Sequence, residues 1–292
     1  MTSPARPEGL GTPVPRRSLG RRRLVSHMTI AACVAAALVL MLPVALLVGH
    51  LVVRGAAMLR PGFFVHMPAP VGEPGGGMAN AIVGTLILVA LSSALAVPVG
   101  IGAGLYLAEF GSGRFAAMLR YGVDVLGGVP SIVVGVAAYG LIVVPMGRFS
   151  AIAGGVALAI LMLPMIIRST EEVVRLVPQS YRHAALALGA PRWLVVQQVV
   201  LPAASRGIAT ACMLSVARAA GETAPLLFTA LGNRFWSLKL DQPIASLPVM
   251  IFDYARSPYP DWNAQAWTGA LVLFGLIALL AAIMRWTTRT IR

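Results

Sequence analysis

Lysine is almost absent from this chain, and cysteine is scarce. Lys239 is the single lysine among 292 residues, and Leu238 and Leu240 flank it. A phosphate-binding loop of an ATPase ends in Gly-Lys-Ser or Gly-Lys-Thr, so that motif is excluded. The two cysteines, Cys33 and Cys212, both fall inside apolar stretches. A disulfide framework and a thiolate metal site are therefore not predicted.

Histidine is also sparse, and its positions do not suggest chemistry. His27, His50, His66 and His183 are scattered along the chain, so no metal site is predicted. A membrane-embedded enzyme would need a convergent nucleophile and base or a set of metal ligands, and neither is evident. We expect no catalytic residues and no cofactor bound by this chain.

Charged residues make up only 11% of the chain and hydrophobic residues 58%, whereas soluble domains are about 25% charged. Apolar stretches long enough to cross a bilayer, or nearly so, recur six times. Lipid offers the backbone no hydrogen-bond partner, so each must be helical. The predicted fold class is an all-α polytopic membrane protein. The six stretches are Leu24–Val53, Asn80–Leu107, Leu119–Val144, Ser150–Ile167, Gly207–Leu231 and Ala264–Met284.

The net charge of +13 comes almost entirely from arginines at the ends of the apolar stretches. Membrane topology and anionic lipid headgroups account for such a pattern, so we expect contact with membrane lipid and no nucleic-acid partner. With the N-terminus inside, sixteen basic residues lie on the cytoplasmic side and six outside. This asymmetry predicts a multi-pass protein of the cell (inner or plasma) membrane with both termini in the cytoplasm.

These features divide the chain into segments. The first stretch is much longer than the apolar core of a signal peptide, about 7–15 residues, so we interpret it as a membrane helix. The predicted segments are a disordered basic cytoplasmic tail (1–23), a first transmembrane helix (24–53), an extracytoplasmic segment (54–79), a core of membrane helices (80–285) with a cytoplasmic loop (168–206), and a cytoplasmic tail (286–292).

The polar loop 168–206 is predicted to contain two short helices joined at Gly189, which can close the first as a left-handed cap. Pro191 suits the first turn of the second helix, which we expect to end at Val200. Ala184 and Ala185 offer a small-residue surface suited to a groove on a partner. At the start of the loop, Glu171 and Arg175 stand four residues apart, and we expect a solvated pair.

Arg218 is the basic residue inside a membrane span. It follows Arg206 by twelve residues, about 18 Å along a helix, and so lies near mid-membrane. A charge there costs about 2.5–3.5 kcal/mol and is normally functional and paired. Glu222 stands four residues on, so the two side chains share a helical face. The pair is either a structural ion pair or a site where the guanidinium meets an oxyanion.

Neighbouring residues bear on that choice. Pro225 cannot donate to the carbonyl of Gly221, so we expect a kink beside the pair. Ser131 and Thr223 are candidate hydroxyl donors to an anion within the membrane, although such hydroxyls often bond to their own helix backbone. Gly100 and Gly104 have a GxxxG spacing, which we interpret as helix packing.

Several stretches resemble the membrane subunits of type I ABC importers, and specifically PstA-type permeases of phosphate importers. In the loop, His183, Ala184, Ala185, Gly189, Leu201 and Pro202 match the EAA loop that engages the ATPase subunits. His183 stands where that family has glutamate, and the change places its docking chemistry in doubt. The other matching stretches are Ala81–Phe110, Gly127–Gly135, Leu161–Pro178, Ala217–Gly232 and Ser246–Tyr259.

The resemblance implies the type I importer permease fold and a subunit that forms half of a phosphate pathway lined by Arg218, Glu222, Thr223 and Ser131. It implies a second, PstC-like permease, two PstB-like ATPase subunits that carry ATP and Mg, and an extracytoplasmic PstS-like phosphate-binding protein. Sulfate or molybdate is the nearest alternative cargo, because an arginine with hydroxyl donors suits any tetrahedral oxyanion. A secondary transporter is a further alternative, against which the loop argues.

Overall fold

The structure is a computed structural model, and it describes residues 19–70, 73 and 75–290. The regular secondary structure of this part of the chain is helical apart from one bridged pair, Leu231 and Ile244, and loops and turns connect the helices. Two π-helical turns, Tyr139–Val143 and Val196–Val200, join α5 to α6 and α9 to α10. The helices are α1 (Leu19–Ala56), α2 (Pro61–Val65), α3 (Ala79–Glu109), α4 (Gly113–Gly128), α5 (Ser131–Ala138), α6 (Val144–Met146), α7 (Ala151–Arg175), α8 (Gln179–Ala187), α9 (Arg192–Val195), α10 (Leu201–Ala220), α11 (Ala224–Thr229), α12 (Leu247–Ala255) and α13 (Pro260–Thr290).

The predicted all-α membrane fold is confirmed. Within the described residues, five helical stretches are long and apolar enough to cross a membrane, and a bent helix pair makes up to six. The bent pair consists of α4 and the stretch from α5 to α6, at an angle of 104°. The five are Arg23–Ala56, Ala79–Glu109, Ala151–Arg175, Arg192–Ala220 and Pro260–Trp286.

The helices at the two ends of the chain are longer than expected. α1 begins at Leu19, inside the predicted tail 1–23, of which residues 1–18 lie outside the described part. α13 runs to Thr290, through most of the predicted tail 286–292. Arginine, leucine and threonine can extend a helix once it is nucleated, and each added residue gains a hydrogen bond. The predicted external segment 54–79 contains the end of α1 and all of α2.

The third predicted span, Leu119–Val144, is not one helix. α4 ends at Gly128, and Val129 has an extended backbone (φ −70°, ψ 129°) before Pro130. The proline ring disfavours the helical region for the residue that precedes it. The span is therefore broken into two half-helices rather than continuous.

By its contacts the chain divides into two units, residues 1–50 and 51–292. Of the first unit, the structure describes one element, the greater part of α1. The second unit is built around α7. The apolar segment of α7 is 61% buried, whereas the apolar segments of α3 and α13 are 33% and 11% buried. α7 packs against α3, α4, α5, α10 and α11, and it therefore forms the centre of this unit.

The close packing of α3 on α7 depends on glycine. A Cβ on Gly100 would lie 2.6 Å from Ile166 Cγ2, and one on Gly104 would lie 2.6 Å from Thr170 Cβ. The interpretation of the GxxxG spacing as packing is confirmed. Gly104 follows Gly100 in α3, and its contact Thr170 follows Ile166 in α7. The two helices therefore run parallel.

A second neighbour of α7, the helix α10, runs antiparallel to it. Ser215 of α10 donates to the carbonyl of Met162 at 3.2 Å, and a Cβ on Gly207 would meet Val173 at 2.4 Å, so α10 is antiparallel to α7. The C-terminus of α7 thus lies at the same end of the unit as the N-terminus of α10 and helix α8. We call this the α8 end.

Candidate functional site

The helix that carries Arg218 breaks rather than kinks. α10 ends at Ala220, and α11 begins at Ala224, so the prediction of a continuous span with a kink was wrong. Pro225 has no N–H for the carbonyl of Gly221, and glycine itself weakens a helix. Residues 221–223 therefore lie outside the helices. They leave irregular backbone between two half-helices, as is found at transport sites in membrane proteins.

Arg218, in the last turn of α10, forms an ion pair with Glu222, which lies in this break. Arg218 Nε lies 3.5 Å from Glu222 Oε1, and the side chains are 69% and 18% exposed. This distance is longer than the 2.7–3.2 Å of most N–H···O hydrogen bonds. An arginine has five N–H donors, and most of this guanidinium is on the surface of the chain. The pair is therefore a loose contact that leaves the guanidinium accessible to an anion.

Ser131 and Thr223 lie at the starts of two half-helices that touch each other. Ser131 is the first residue of α5, and Thr223 immediately precedes α11. A Cβ on Gly135 would lie 2.6 Å from Pro225 Cα, so α5 and α11 are in close contact. Both residues lie within about one helical turn of this contact. The structure therefore brings the two broken spans together and places both hydroxyls, each partly buried, in the same region.

The residues of the EAA-like loop lie elsewhere, at the α8 end. His183, Ala184 and Gly189 are exposed, and Ala185 is partly buried. Gly189 adopts φ +82°, and it donates to the carbonyl of Leu186 at 2.9 Å. The N–H of Ala190 reaches the carbonyl of Ala185 at 3.2 Å, which completes a Schellman motif. The predicted left-handed cap is confirmed.

The second predicted helix of the loop does not end at Val200. α9 continues through the π turn Val196–Val200 into α10, where Leu201 is the first residue and Pro202 the second. Pro202 cannot donate to the carbonyl of Gln198, and a wider turn ahead of the proline keeps the helix continuous. The other π turn likewise ends two residues before a proline, Pro145. The loop therefore contains one free short helix, α8.

Glu171 is not the solvated partner of Arg175 that the spacing suggested. Its side chain is 3% exposed and accepts hydrogen bonds from Arg120 Nε at 2.7 Å, Arg175 Nη2 at 2.6 Å and Arg168 Nη1 at 3.1 Å. Arg168 also donates to Asp124 at 2.7 Å. Buried carboxylates require such partners. We call Glu171, Arg120, Arg168, Arg175 and Asp124 the Glu171 cluster.

The Glu171 cluster joins three helices at the α8 end. Arg120 belongs to α4 and Glu171 to α7, and Arg120 Nη2 also donates to the carbonyls of Leu107 in α3, at 2.7 Å, and Gly111, at 3.2 Å. Asp124 and Arg168 lie 44 residues apart in sequence, and Arg120 and Glu171 lie 51 residues apart. Local spacing therefore does not reveal these pairs. One available signal was the pair Arg120 and Asp124, which share a helix face at i,i+4.

Arg182 is a second residue that sequence reasoning missed. Its guanidinium pairs with Glu109 at the end of α3, with Nη2 and Oε1 2.6 Å apart, and the two side chains are only 10% and 13% exposed. The next residue, His183, belongs to the EAA-like motif, whereas Arg182 precedes that motif. Arg182 itself faces the body of the chain rather than solvent.

No group of three or more His, Cys, Asp or Glu side chains that could hold a metal ion occurs among the described residues. The two candidate regions are thus an anion-accessible arginine beside paired helix breaks and an exposed short helix at the α8 end. Comparison with known proteins relates this arrangement to a family.

Residues 100–292 match the family model described as "Binding-protein-dependent transport system inner membrane component". The chain belongs to this family. The match runs from the second half of α3 to the end of the chain, and it includes both helix breaks, the Glu171 cluster and α8.

Relatives of known name are similar to most of the chain. The chain is 45% identical over 235 residues to the phosphate transport system permease protein PstA of Yersinia pestis, covering 80% of each chain. It is 41% identical to that of Xylella fastidiosa, covering 89% of this chain and 91% of the relative. PstA 1 of Mycobacterium tuberculosis is 36% identical, with 91% and 90% covered. The resemblance to PstA-type permeases is confirmed.

Solved structures agree on the fold. The MetNI methionine ABC transporter in an inward-facing conformation matches with a TM-score of 0.60 at 19% identity, covering 74% of this chain and 97% of that one. A bacterial ABC transporter involved in the import of alginate matches with a TM-score of 0.61 at 13% identity, with 91% and 98% covered. At such low identities the likeness concerns the fold alone. This inner membrane component therefore has the fold of ABC importer permeases.

Proposed function

We propose that this chain is the transmembrane permease subunit of an ATP-driven phosphate importer and forms half of its translocation pathway. The observation that carries the proposal is the Arg218 guanidinium, 69% exposed beside a break in a membrane-spanning helix. The names of the relatives at 36–45% identity support phosphate as the cargo.

The chemistry of the break suits a tetrahedral oxyanion. A guanidinium offers paired N–H donors in a fork that matches two oxyanion oxygens, and the hydroxyls of Thr223 and Ser131 can add neutral donors. Glu222 holds the arginine when the pathway is empty and competes with the bound anion, so that the site releases its cargo. The large exposed fraction of Arg218 faces a second, PstC-like permease in the complete transporter, which closes the pathway.

We place the α8 end in the cytoplasm. Five arginines lie between residues 168 and 206, and basic residues concentrate in cytoplasmic loops. With this orientation both termini are cytoplasmic, and the two helix breaks lie within the membrane of the cell.

The α8 helix is the proposed contact with the ATPase subunits. His183, Ala184 and Gly189 present the exposed side of this helix and its cap, with Ala185 partly buried beside them, and Leu201 and Pro202 begin α10. Two PstB-like subunits bind ATP and Mg. An extracytoplasmic PstS-like protein delivers phosphate to the outer opening of the pathway. Because His183 replaces a glutamate, we expect its ATPase to offer this position a neutral or acidic group.

Reconstitution tests the proposal. The chain is co-produced with a second permease subunit and ATPase subunits of the same organism, placed in proteoliposomes with the binding protein, and assayed for uptake of radioactive phosphate. We expect uptake that requires ATP and is not reduced by excess sulfate or molybdate. Uptake of sulfate or molybdate instead of phosphate would replace phosphate as the cargo, and uptake without nucleotide would show a secondary transporter.

A further inference from the structure

We infer that Arg182 is a positioning residue, which ties helix α8 to the membrane-spanning helices so that movement of the ATPase subunits reaches the pathway. This inference rests on the proposed function, because it presumes that α8 contacts an ATPase. It concerns a different side of α8 from the exposed residues of the EAA-like motif.

The guanidinium of Arg182 reaches two membrane-spanning helices at once. It pairs with Glu109 of α3 through Nη2 at 2.6 Å and through Nε at 3.1 Å and 3.3 Å to the two carboxylate oxygens. Nη2 also donates to the carbonyl of Val174 in α7 at 2.9 Å, and Nη1 donates to the carbonyl of Val177, just beyond α7. One side chain therefore links α8 to the ends of α3 and α7.

Burial separates this role from docking. The Arg182 side chain is 10% exposed, so it has little surface to offer a partner protein. On the same helix, His183, Ala184 and Leu186 are exposed. The two sides of α8 thus have different tasks, one to meet a partner and one to hold the body of the permease.

Little apolar packing can substitute for this link to α3. A cavity of about 320 Å³ lies among the end of α3, α8 and α9, and it is lined by Glu109, Arg182, His183, Leu186 and Arg192, among others. The main packing partners of α8 are α9 and the π turn that follows it. The ion pair therefore bridges a gap that side-chain packing leaves open.

Electrostatics explain why arginine occupies this position. The C-termini of α3 and α7 carry partial negative charge from their last carbonyls, and Glu109 adds a full charge. The planar guanidinium satisfies the carboxylate and two carbonyls together, whereas the ammonium of lysine is a point charge that cannot reproduce the fork. Removal of the arginine leaves Glu109 without its partner in a partly enclosed site.

The test uses the full transporter in proteoliposomes and measures phosphate transported per ATP hydrolysed. For Arg182→Ala we expect the ATPase subunits to co-purify as with the wild type, while this ratio falls at least about fivefold, the low end of coupling between distant sites. Glu109→Gln should lower the ratio in the same direction. Arg182→Lys should fall between Arg182→Ala and the wild type. The double variant Arg182→Ala with Glu109→Ala should be no worse than Arg182→Ala alone.

Arg114→Ala is the matched control, because Arg114 is exposed at the start of α4, and its ratio should equal the wild type. If Arg182→Ala does not accumulate in the membrane, Arg182→Lys and Glu109→Gln carry the test, since both keep the side-chain size. An unchanged ratio would overturn the inference, as would loss of the ATPase subunits, which would make Arg182 a docking or folding residue.

Failure of the proposed function would be visible in the anion that the wild-type complex imports, independently of any Arg182 variant. A wild-type complex that imports sulfate or molybdate instead of phosphate would overturn the cargo, and the same ratio measured with that anion would still decide the role of Arg182. A wild-type complex that imports none of the three would overturn both.

Discussion

Arg120 of α4 donates a hydrogen bond from Nε to Oε1 of Glu171 in α7, at 2.7 Å and across 51 residues of sequence. The carboxylate that receives it is 3% exposed and is shared with two further arginines. A single buried acid of α7 thus ties α4 to α7 at the α8 end.

The first prediction concerns the stability of this cluster. Glu171→Ala leaves Arg120, Arg168 and Arg175 close together without their shared carboxylate, and loss of one partner from a buried ion pair costs about 3–5 kcal/mol. We expect a clearly lower melting temperature for the detergent-solubilised protein. Glu172→Ala is the control, because Glu172 is the next residue of the same helix and is exposed. Equal melting temperatures for the two variants would show that the cluster adds little stability.

A second prediction tests the packing of α3 on α7. Gly104→Val places side-chain atoms where Thr170 already lies, since even a Cβ would approach Thr170 to 2.6 Å. Overpacking of this kind costs about 1–3 kcal/mol or more, so we expect reduced accumulation in the membrane and a lower melting temperature. Gly102→Val, two residues away, meets nothing within 4 Å of its Cβ and should behave as the wild type. A lower melting temperature for Gly102→Val than for Gly104→Val would contradict this packing of α3 on α7.

A third prediction concerns the cap of α8. Gly189 has φ +82°, where a side chain costs about 1–2 kcal/mol, although a Cβ there would meet nothing within 4 Å. Gly189→Val should therefore weaken co-purification of the ATPase subunits by altering the end of α8, and Gly189→Asn should be milder, because asparagine tolerates this conformation. Full retention of the subunits by Gly189→Val would separate the cap from docking.

The fourth prediction addresses Glu222. If this carboxylate competes with the anion for Arg218, then Glu222→Gln should bind phosphate more tightly and release it more slowly. We expect the maximal uptake rate to fall about tenfold, equivalent to about 1.4 kcal/mol, with a lower half-saturating phosphate concentration. A higher half-saturating concentration would instead make Glu222 a holder of the arginine alone.

The features that the sequence alone predicted correctly are those with local causes. Apolar length located four of the spans as single helices, and the left-handed conformation of Gly189 followed from a glycine after a short helical pattern. The GxxxG pair was recognised because close helix approach requires a missing side chain. Each of these depends on residues within a turn or two of one another.

The features it missed depend on residues far apart or on the competition between neighbours. Glu109 and Arg182 are 73 residues apart, and nothing in the local pattern of either points to the other. Pro225 was expected to kink its helix, but Gly221, four residues before it, further weakens the helix, and the helix breaks at residues 221–223. At Pro202 the outcome was the opposite, because the π turn ahead of the proline preserved the helix.

The central claim is that Arg218 binds the transported anion, and the most direct test is phosphate uptake by Arg218→Gln in the reconstituted transporter. Loss of a charge-assisted hydrogen bond costs about 1.5–3 kcal/mol, so we predict uptake at least about tenfold below the wild type, with ATPase subunits co-purifying normally. Arg218→Lys should retain part of the rate. Wild-type uptake by Arg218→Gln would contradict the account and reduce Arg218 and Glu222 to a structural ion pair.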